Sequence, residues 1–384
     1  MKNLIKFIFF LFPLLIISCA KKNLITVEEI INIDNIEEIS VKATEFSSDM
    51  KIIKLESSDS CLVANIIKIE IEDSLIYILD DVFKGIYIFS FDGKFMKKFS
   101  KEGHGPGEYL SIDDFIIDKN INSLEIFDRL NMRIYIYRLD NFEFIHKIDI
   151  PLNFAFKFTK KDNIYYLQTN EARNTINKKE TTNSDVIVFD ITSKKVTPLF
   201  QKTKPEKENQ HWEFTHIFTV DKNTQRIFVS LAWDRIHYEI INEKVKPIIK
   251  IEAPNRGIPD KVLKGNYDDK MSYLNSLGKN SNKATFFKLL MKNDNGLIMA
   301  YELGYPPKEC YYFNLKDKNC HFFTNNIINN YLPFPIENTI ISKEINGYLL
   351  SGLYPHMVNE NKQLCNYLNI KPTDNPILFL FKLK

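Results

Sequence analysis

Apolar and polar residues alternate with a period of two in short runs along most of the chain. The clearest are "LIYILD" (75–80), "IYIFSF" (86–91), "LEIFD" (124–128), "IYIYRL" (134–139), "DVIVFDI" (185–191), "RIFVSLAW" (226–233) and "PILFLFKL" (376–383). Turn residues bound each run. That pattern predicts strands and, at this density, an all-β sandwich, barrel or propeller. The 30 Phe and 18 Tyr agree, because aromatic side chains pack well on a pleated surface.

The runs recur in units. Residues 66–99 and 112–148 share one plan. An apolar first strand leads by a tight turn to a second strand ending in Asp; a loop, a third strand, a tight turn and a fourth strand follow. The plan extends to 154–200, 215–251 and, more loosely, 285–324; the unit 337–383 offers only three strands. "MKIIKLES" (50–57) is expected to supply the missing one, closing the ring and hiding its edges. The expected fold is all-β: a six-bladed β-propeller of four-stranded antiparallel blades over 50–384, closed by an N-terminal strand in the last blade. A β-sandwich, or a pair of them, fits the unit boundaries less well.

This plan resembles the bacterial six-bladed β-propeller lipoproteins, NHL- or TolB-like in their repeats. "DRLNMRIYIY" (128–137) is similar to the D-x-x-N-x-R core of an NHL repeat. "GHGPGEY" (103–109) resembles a GxGPGEY signature at the junction of the first two blades. Gly103, Gly105 and Gly107 permit backbone angles that other residues resist, and Pro106 fixes one more. A strand follows and no G-K-[ST] is present, so the stretch is not a phosphate loop. Glu108 is expected to pair with a base or cap backbone N–H groups, and Tyr109 to wedge between blades. The stretch lies among the longer loops, so His104 and Glu108 remain candidates for ligand contact.

In a propeller, connections between strands one and two and between three and four share one side. These are short here. The other side carries the long segments 170–184, 201–214, 252–284 and 355–375. Binding residues tend to lie on loops held by a rigid scaffold, so this side is the expected binding side. Segment 252–284 is expected to carry a helix, with Pro259 in its first turn and Gly278 at its end. The second strands end toward the same side, at Asp80 or Asp81, Asp128, Asn170, Asp234, Glu302 and Tyr354. These form a candidate polar ring at the channel mouth. The plainer expectation is that each acid pairs with a base, Asp128 with Arg133 and Asp234 with Arg235. Six-bladed propellers also host lactonases and lyases. That resemblance implies a divalent cation held by Asp128, Asn170, Asp234 and Glu302, whose oxygens suit Ca²⁺. No other cofactor is expected.

The first residues, MKNLIKFIFFLFPLLIISCAKK, change the address. The apolar run is too short to span a bilayer and has the length of a signal peptide. Its end, Ile16-Ile17-Ser18-Cys19, resembles a lipobox, which implies cleavage before Cys19 and acylation of that cysteine. The expected organisation is a leader at 1–18, an anchor and tether at 19–49 and the propeller at 50–384. The chain is expected to be exported and held by the bilayer, on the periplasmic side of the outer membrane or at the cell surface. Without Lys2 and Lys6, the 51 basic residues fall to 49, equal to the 49 acids, so no global charge draws the chain to nucleic acid. Cys61, Cys310, Cys320 and Cys365 form no CxxC pair and read as buried apolar residues.

Catalytic motifs are scarce. His211 and His216 are five apart, whereas a helical metal pair needs four. "SLGK" (276–279) matches S-x-x-K without its companion motifs. Trp212 and Trp233 could stack on sugars or peptides, but strand aromatics are more often core. The sequence therefore favours a membrane-anchored binding or scaffold module for a glycan, peptide or partner protein, with the Ca²⁺-dependent enzyme as the alternative.

Overall fold

The computed structural model describes residues 26–34, 37–176, 180–201, 216–231, 234–263, 271–272, 275–276, 279–280, 282–304, 307–316, 320–358 and 361–384. Three strands precede the first unit: β1 (Glu29–Asn32), β2 (Glu38–Lys42) and, after one helical turn α1 (Ala43–Phe46), β3 (Ser47–Lys54). Blade one is β4 (Ile66–Glu72), β5 (Leu75–Asp80), β6 (Gly85–Ser90) and β7 (Phe95–Phe99). Blade two is β8 (Asp114–Asp118), β9 (Ser123–Asp128), β10 (Arg133–Arg138) and β11 (Phe144–Asp149). Blade three is β12 (Lys157–Lys161), β13 (Ile164–Gln168), β16 (Val186–Asp190) and β17 (Val196–Leu199), with a hairpin, β14 (Arg173–Ile176) and β15 (Glu180–Asn183), inserted at its middle. Blade four is β18 (Phe218–Asp221), β19 (Arg226–Ser230), β20 (Ile236–Ile241) and β21 (Lys244–Glu252). Blade five is β22 (Ala284–Asn293), β23 (Gly296–Leu303), β24 (Lys308–Leu315) and β25 (His321–Ile328). Blade six is β26 (Lys343–Ile345), β27 (Tyr348–Leu353) and β28 (Ile377–Leu383), completed by β3.

The predicted propeller is therefore present, with six four-stranded antiparallel blades. The closing strand begins slightly earlier than "MKIIKLES": β3 pairs with β28 from Ser47 opposite Leu383 to Lys54 opposite Ile377. Burial explains the pattern of the runs. Middle strands are covered on both faces by neighbouring blades, so β5 and β9 are buried almost throughout. Outer strands such as β7 and β11 expose most positions. Each blade junction has its own apolar cluster, for example Phe99, Tyr109, Phe115 and Tyr137 between blades one and two. Cys61, Cys310 and Cys320 are buried in these clusters, and Cys365 is partly buried.

The segment expected to be a tether is structured from Glu29 onward. β1 lies parallel to β21 on the rim of blade four, and β2 lies parallel to β25 on the rim of blade five. With β3 in blade six, the N-terminal strands cover three successive outer edges, which removes sites for unwanted strand pairing. Ile31, Ile33, Val41 and Phe46 are buried by this strap. Each such side chain contributes about 1.5–3 kcal/mol. Asp34 pins the strap by accepting from the Asn255 and Arg256 N–H groups. The sequence missed this role because "VEEIINIDNIEEIS" looks like a polar spacer when read without a sheet edge beside it.

Two sides follow from the connectivity. The turn side carries the short hairpins. The loop side carries the blade-to-blade connections, the β14–β15 hairpin and helix α3 (Lys362–Leu368). The helix expected within 252–284 begins as α2 (Asp260–Leu263), with Val262 buried. Residues 264–270 and Gly278 lie outside the described residues, as do Cys19, residues 202–215 with His211 and Trp212, and Trp233.

Candidate functional site

The six predicted ring residues do not form one ligand shell. Asp80 and Asp128 are fully buried, and their carboxylates tie local backbone together. Asp80 accepts from the Ala64, Asn65 and Phe83 N–H groups. Asp128 accepts from Leu110 N–H, the Ser111 hydroxyl, and both the backbone and side-chain N–H of Asn131. Each joins an incoming blade connection to the turn after its own strand. The expected Asp128–Arg133 pair is absent: the two residues face each other in the sheet, but Arg133 Nε donates to Asp149 at 2.7 Å. Nor does Asp234 pair with Arg235. It accepts from the Tyr238 hydroxyl at 2.7 Å and from Ile236 N–H, while Arg235 donates to the Ile258 carbonyl.

Asn170 has a left-handed φ of 46° and accepts from the Gln168 amide. Glu302 faces Glu309 across β23 and β24; burial and then this neighbour push its pKa up. Tyr354 is half-buried, with its ring 5.7 Å from that of His356. Among the described residues, no group of three or more His, Cys, Asp or Glu is placed to hold a metal ion. The donors around Asp128 and Asp234 take up the carboxylate oxygens that the expected Ca²⁺ site requires. The physical reason is position: Asp128 ends its second strand and Asp234 lies in the turn past its own, where local donors meet both carboxylates.

The GHGPGEY stretch is a closed turn. Gly103 N–H donates to the Tyr109 carbonyl and Tyr109 N–H to the Lys101 carbonyl. Glu108 Oε2 accepts from Gly105 N–H at 2.8 Å. A Cβ on Gly103 would lie 2.0 Å from Glu108 Oε2. Tyr109 is buried between blades one and two beside Phe99, and its hydroxyl reaches the Lys84 carbonyl. Pro106 and His104 are exposed on the loop side. Gly107 has φ +73°, its carbonyl accepts from the Tyr137 hydroxyl, and a Cβ there would meet Phe144 Cγ at 2.5 Å. Gly107→Val is therefore expected to cost about 2 kcal/mol or more, from left-handed backbone strain plus overpacking. Urea denaturation checks this; an unchanged midpoint would contradict the turn's role.

The loop side is firmly built. Asn174 of β14 accepts from Asn153 and Phe154 N–H, both at 2.8 Å, and fastens the inserted hairpin to the connection between blades two and three. Asn361 caps α3 by accepting from Leu364 N–H, and Leu364 and Leu368 bury its inner face. Apolar side chains are left outside: Val82, Phe83, Leu130 and Phe154 at the blade tips and Tyr367 on α3 are each about half exposed or more, from 47% to 63%. The Asp80 and Asp128 turns present three of them.

Behind this rim, the inner strands carry a charge network that runs down the axis. Asp114, the first residue of β8, is fully buried. It accepts from Lys68 Nζ of β4 at 2.8 Å, from Phe158 N–H of β12 and from Phe115 N–H. His216 Nε2 lies 3.2 Å from its other oxygen. Burial opposes ionisation of Asp114, but Lys68, His216 and Lys157 outweigh it and hold its pKa well below the carboxylate range. Deeper, Glu70 meets Lys343 at 2.9 Å, Lys222 at 3.6 Å and Lys68 at 3.9 Å; Lys222 also meets Glu72 at 3.2 Å. Burial resists the charge on Glu70, but Lys343, Lys68 and Lys222 bring its pKa down to about 2. Five blades thus meet through charged side chains. Sequence reading missed this because the charges alternate with apolar residues in first strands that read as ordinary half-buried strands; the available signal was their recurrence in or beside the first strand of successive units.

The residues from 27 to 382 match a single family model, described as Domain of unknown function (DUF4934). The chain belongs to this family. The match takes in the strap as well as the blades. Among solved structures, a Bacteroides fragilis protein assigned as exported is similar over 92% of this chain and 99% of its own, with 17% identity and a TM-score of 0.72. A DUF4221 family member from Bacteroides vulgatus is similar over 88% of this chain and 97% of its own, with 11% identity and a TM-score of 0.56. At these identities the likeness concerns the fold. No functionally curated protein matches the chain.

Proposed function

We propose that this DUF4934 protein is an exported binding module, lipid-anchored at Cys19 to the periplasmic side of the outer membrane or to the cell surface, whose loop side takes a glycan, peptide or protein. The observation that carries the reading is the set of exposed apolar side chains on firmly tied loops of one side, Val82, Phe83, Leu130, Phe154 and Tyr367. Exposed apolar surface rimmed by polar residues marks interaction sites where it joins into a patch. A rigid scaffold lowers the ordering cost of binding through it. The description of the Bacteroides fragilis neighbour as exported supports the address.

The strap supplies an orientation. β21 runs from the turn side toward the loop side, and β1 runs parallel to it. The chain therefore enters blade four from the turn side. An extended chain spans at most ~3.3–3.6 Å per residue, so an anchor at Cys19 would hold this rim within about 35 Å of the bilayer. That arrangement would let the turn side face the membrane with the loop side away from it.

The test has two arms. Cys19→Ala is expected to lose incorporated palmitate and to leave the membrane fraction; palmitate retained by the variant would sink the anchor. On glycan and peptide arrays, the mature chain is expected to bind a ligand that the combined Phe83→Ser and Leu130→Ser variant loses while melting normally. Equal binding by the variant would sink the loop-side reading.

A further inference from the structure

We infer that the loop-side mouth of the axial channel is a subsite for a single oxyanion, a carboxylate or a sulfate, held by Lys157 with His216 and Lys68. This deepens the loop-side reading and rests on it only in taking that side as the open one.

Lys68, Lys157 and His216 converge on one carboxylate at the mouth, that of Asp114. The neighbouring Asp113 compensates only in part: its carboxylate is engaged by Arg129 and the Ser111 hydroxyl, and its carbonyl accepts from Lys157. Farther down the axis, Lys343 and Lys222 are matched by Glu70, Glu72 and the Ile69 carbonyl. Among the described residues, Lys157 is therefore the cation of this network that meets no carboxylate at contact distance.

The donors there are also incompletely used. Among the described residues, the polar partner of Lys157 Nζ is the Asp113 carbonyl at 2.5 Å. An ammonium carries three N–H donors, so two remain for a ligand or water. Burial lowers the Lys157 pKa and Lys68 adds to the depression, while Asp114, Asp113 and Asp81 oppose it. An anion beside it would relieve that repulsion. His216 Nδ1 accepts from Phe218 N–H, which leaves the proton of the neutral ring on Nε2. That Nε2 is buried 3.2 Å from Asp114, with which it interacts, and Lys68 Nζ already donates to Asp114 and the Phe115 carbonyl, so the free donors are those of Lys157, with Lys68 and His216 beside them. The side chains of His216 and Lys68 are 25% and 16% exposed, so the mouth is reached from solvent.

These features select a ligand class. Lysine and histidine N–H groups favour a charged oxygen acceptor, with short charge-assisted bonds. Asp114 lies behind them and repels negative charge, so a carboxylate or a sulfate ester, each with one charge, is expected to bind more tightly than the dianion of free sulfate. Uronic acid carboxylates, sulfated sugars and free sulfate share this chemistry.

Titration calorimetry on the mature chain would test the subsite with sodium sulfate, sodium acetate and sodium glucuronate, each against sodium chloride at matched ionic strength. At least one oxyanion is expected to bind and to raise the melting midpoint with concentration. Lys157→Met is expected to weaken that binding by about ten-fold, the loss of one charge-assisted contact. Lys119→Met removes the same charge on the turn side and is expected to leave affinity unchanged. Response to glucuronate alone identifies a carboxylate presented by a sugar; response to sulfate or acetate as well identifies the free oxyanion. No response beyond chloride, or undiminished binding in Lys157→Met, would overturn the subsite. Should Lys157→Met fail to fold, His216→Gln reads the same loss. A chain that binds its array ligand through Phe83 and Leu130 but ignores all three anions overturns the subsite alone. A chain that binds anions but keeps its array ligand in the Phe83→Ser, Leu130→Ser variant overturns the loop-side reading alone.

Discussion

Asp114→Ala is expected to destabilise the propeller by about 3–5 kcal/mol, the usual cost of stranding buried charge after removal of its partner. Asp114 touches three other blades: Lys68 of blade one, Phe158 N–H of blade three and His216 at the start of blade four. Alanine would leave Lys68 and Lys157 with only the more distant carboxylates, Glu70 at 3.9 Å from Lys68 among them, and would orphan the buried Phe158 N–H. Asp114→Asn keeps the shape and an acceptor oxygen but not the charge, so a smaller loss is expected. If stranded charge is the cause, adding Lys68→Met to Asp114→Ala should recover part of the loss. Urea denaturation with an unchanged slope measures all three. A loss under about 1 kcal/mol in Asp114→Ala, or full additivity with Lys68→Met, would show that the network does not act as a unit.

How much of this was legible beforehand differs by level. The blades were legible because middle strands bury both faces and so read as apolar runs of fixed length between turn residues. Closure was legible because the last unit lacked a strand and an unassigned apolar run preceded the first. The strap was not: Ile31, Ile33 and Val41 are apolar only at the positions that meet the rims of blades four and five, and nothing local marks that meeting. Of the ring residues, Asp80 and Asp128 end their second strands and Glu302 and Tyr354 lie within one residue of an end, whereas Asn170 and Asp234 lie past theirs in the following turns. Asp80 and Asp128 satisfy backbone N–H groups, a structural use that a lone Asp before a turn does not distinguish from a ligand role. Lys68, Asp114 and Lys157 become meaningful only when the ring brings first strands together. Charges alternating with apolar residues in first strands were the trace of an axis that exists only in three dimensions.

His237→Leu is expected to stabilise the protein, and increasingly so as the pH falls. His237 lies in β20, opposite Ser230 and Ile249, and is fully buried with neither ring nitrogen hydrogen-bonded. Leaving a buried polar group without a partner costs about 1–3 kcal/mol, which an apolar side chain of similar size avoids. Burial also depresses the His237 pKa to about 3. In the unfolded chain the imidazole titrates near its ordinary value of 6.5. The unfolded state then binds more protons between those two values, so the stability present above about pH 6.5 is lost as pH falls toward 3. Each unit is worth about 1.4 kcal/mol, which makes the loss from this one group on the order of 3 kcal/mol at pH 4.5. His216, whose pKa is also lowered by burial against the pull of Asp114, acts in the same direction. Glu70 and Asp114 enter only below about pH 4.5, where carboxylates of the unfolded chain begin to take up protons. The difference between wild type and His237→Leu isolates the buried imidazole from all three. Urea midpoints at pH 7.5 and pH 5 should separate as the solution is acidified, with the variant ahead at both. Parallel loss in the two proteins would mean that His237 gains a partner or water when it takes up a proton.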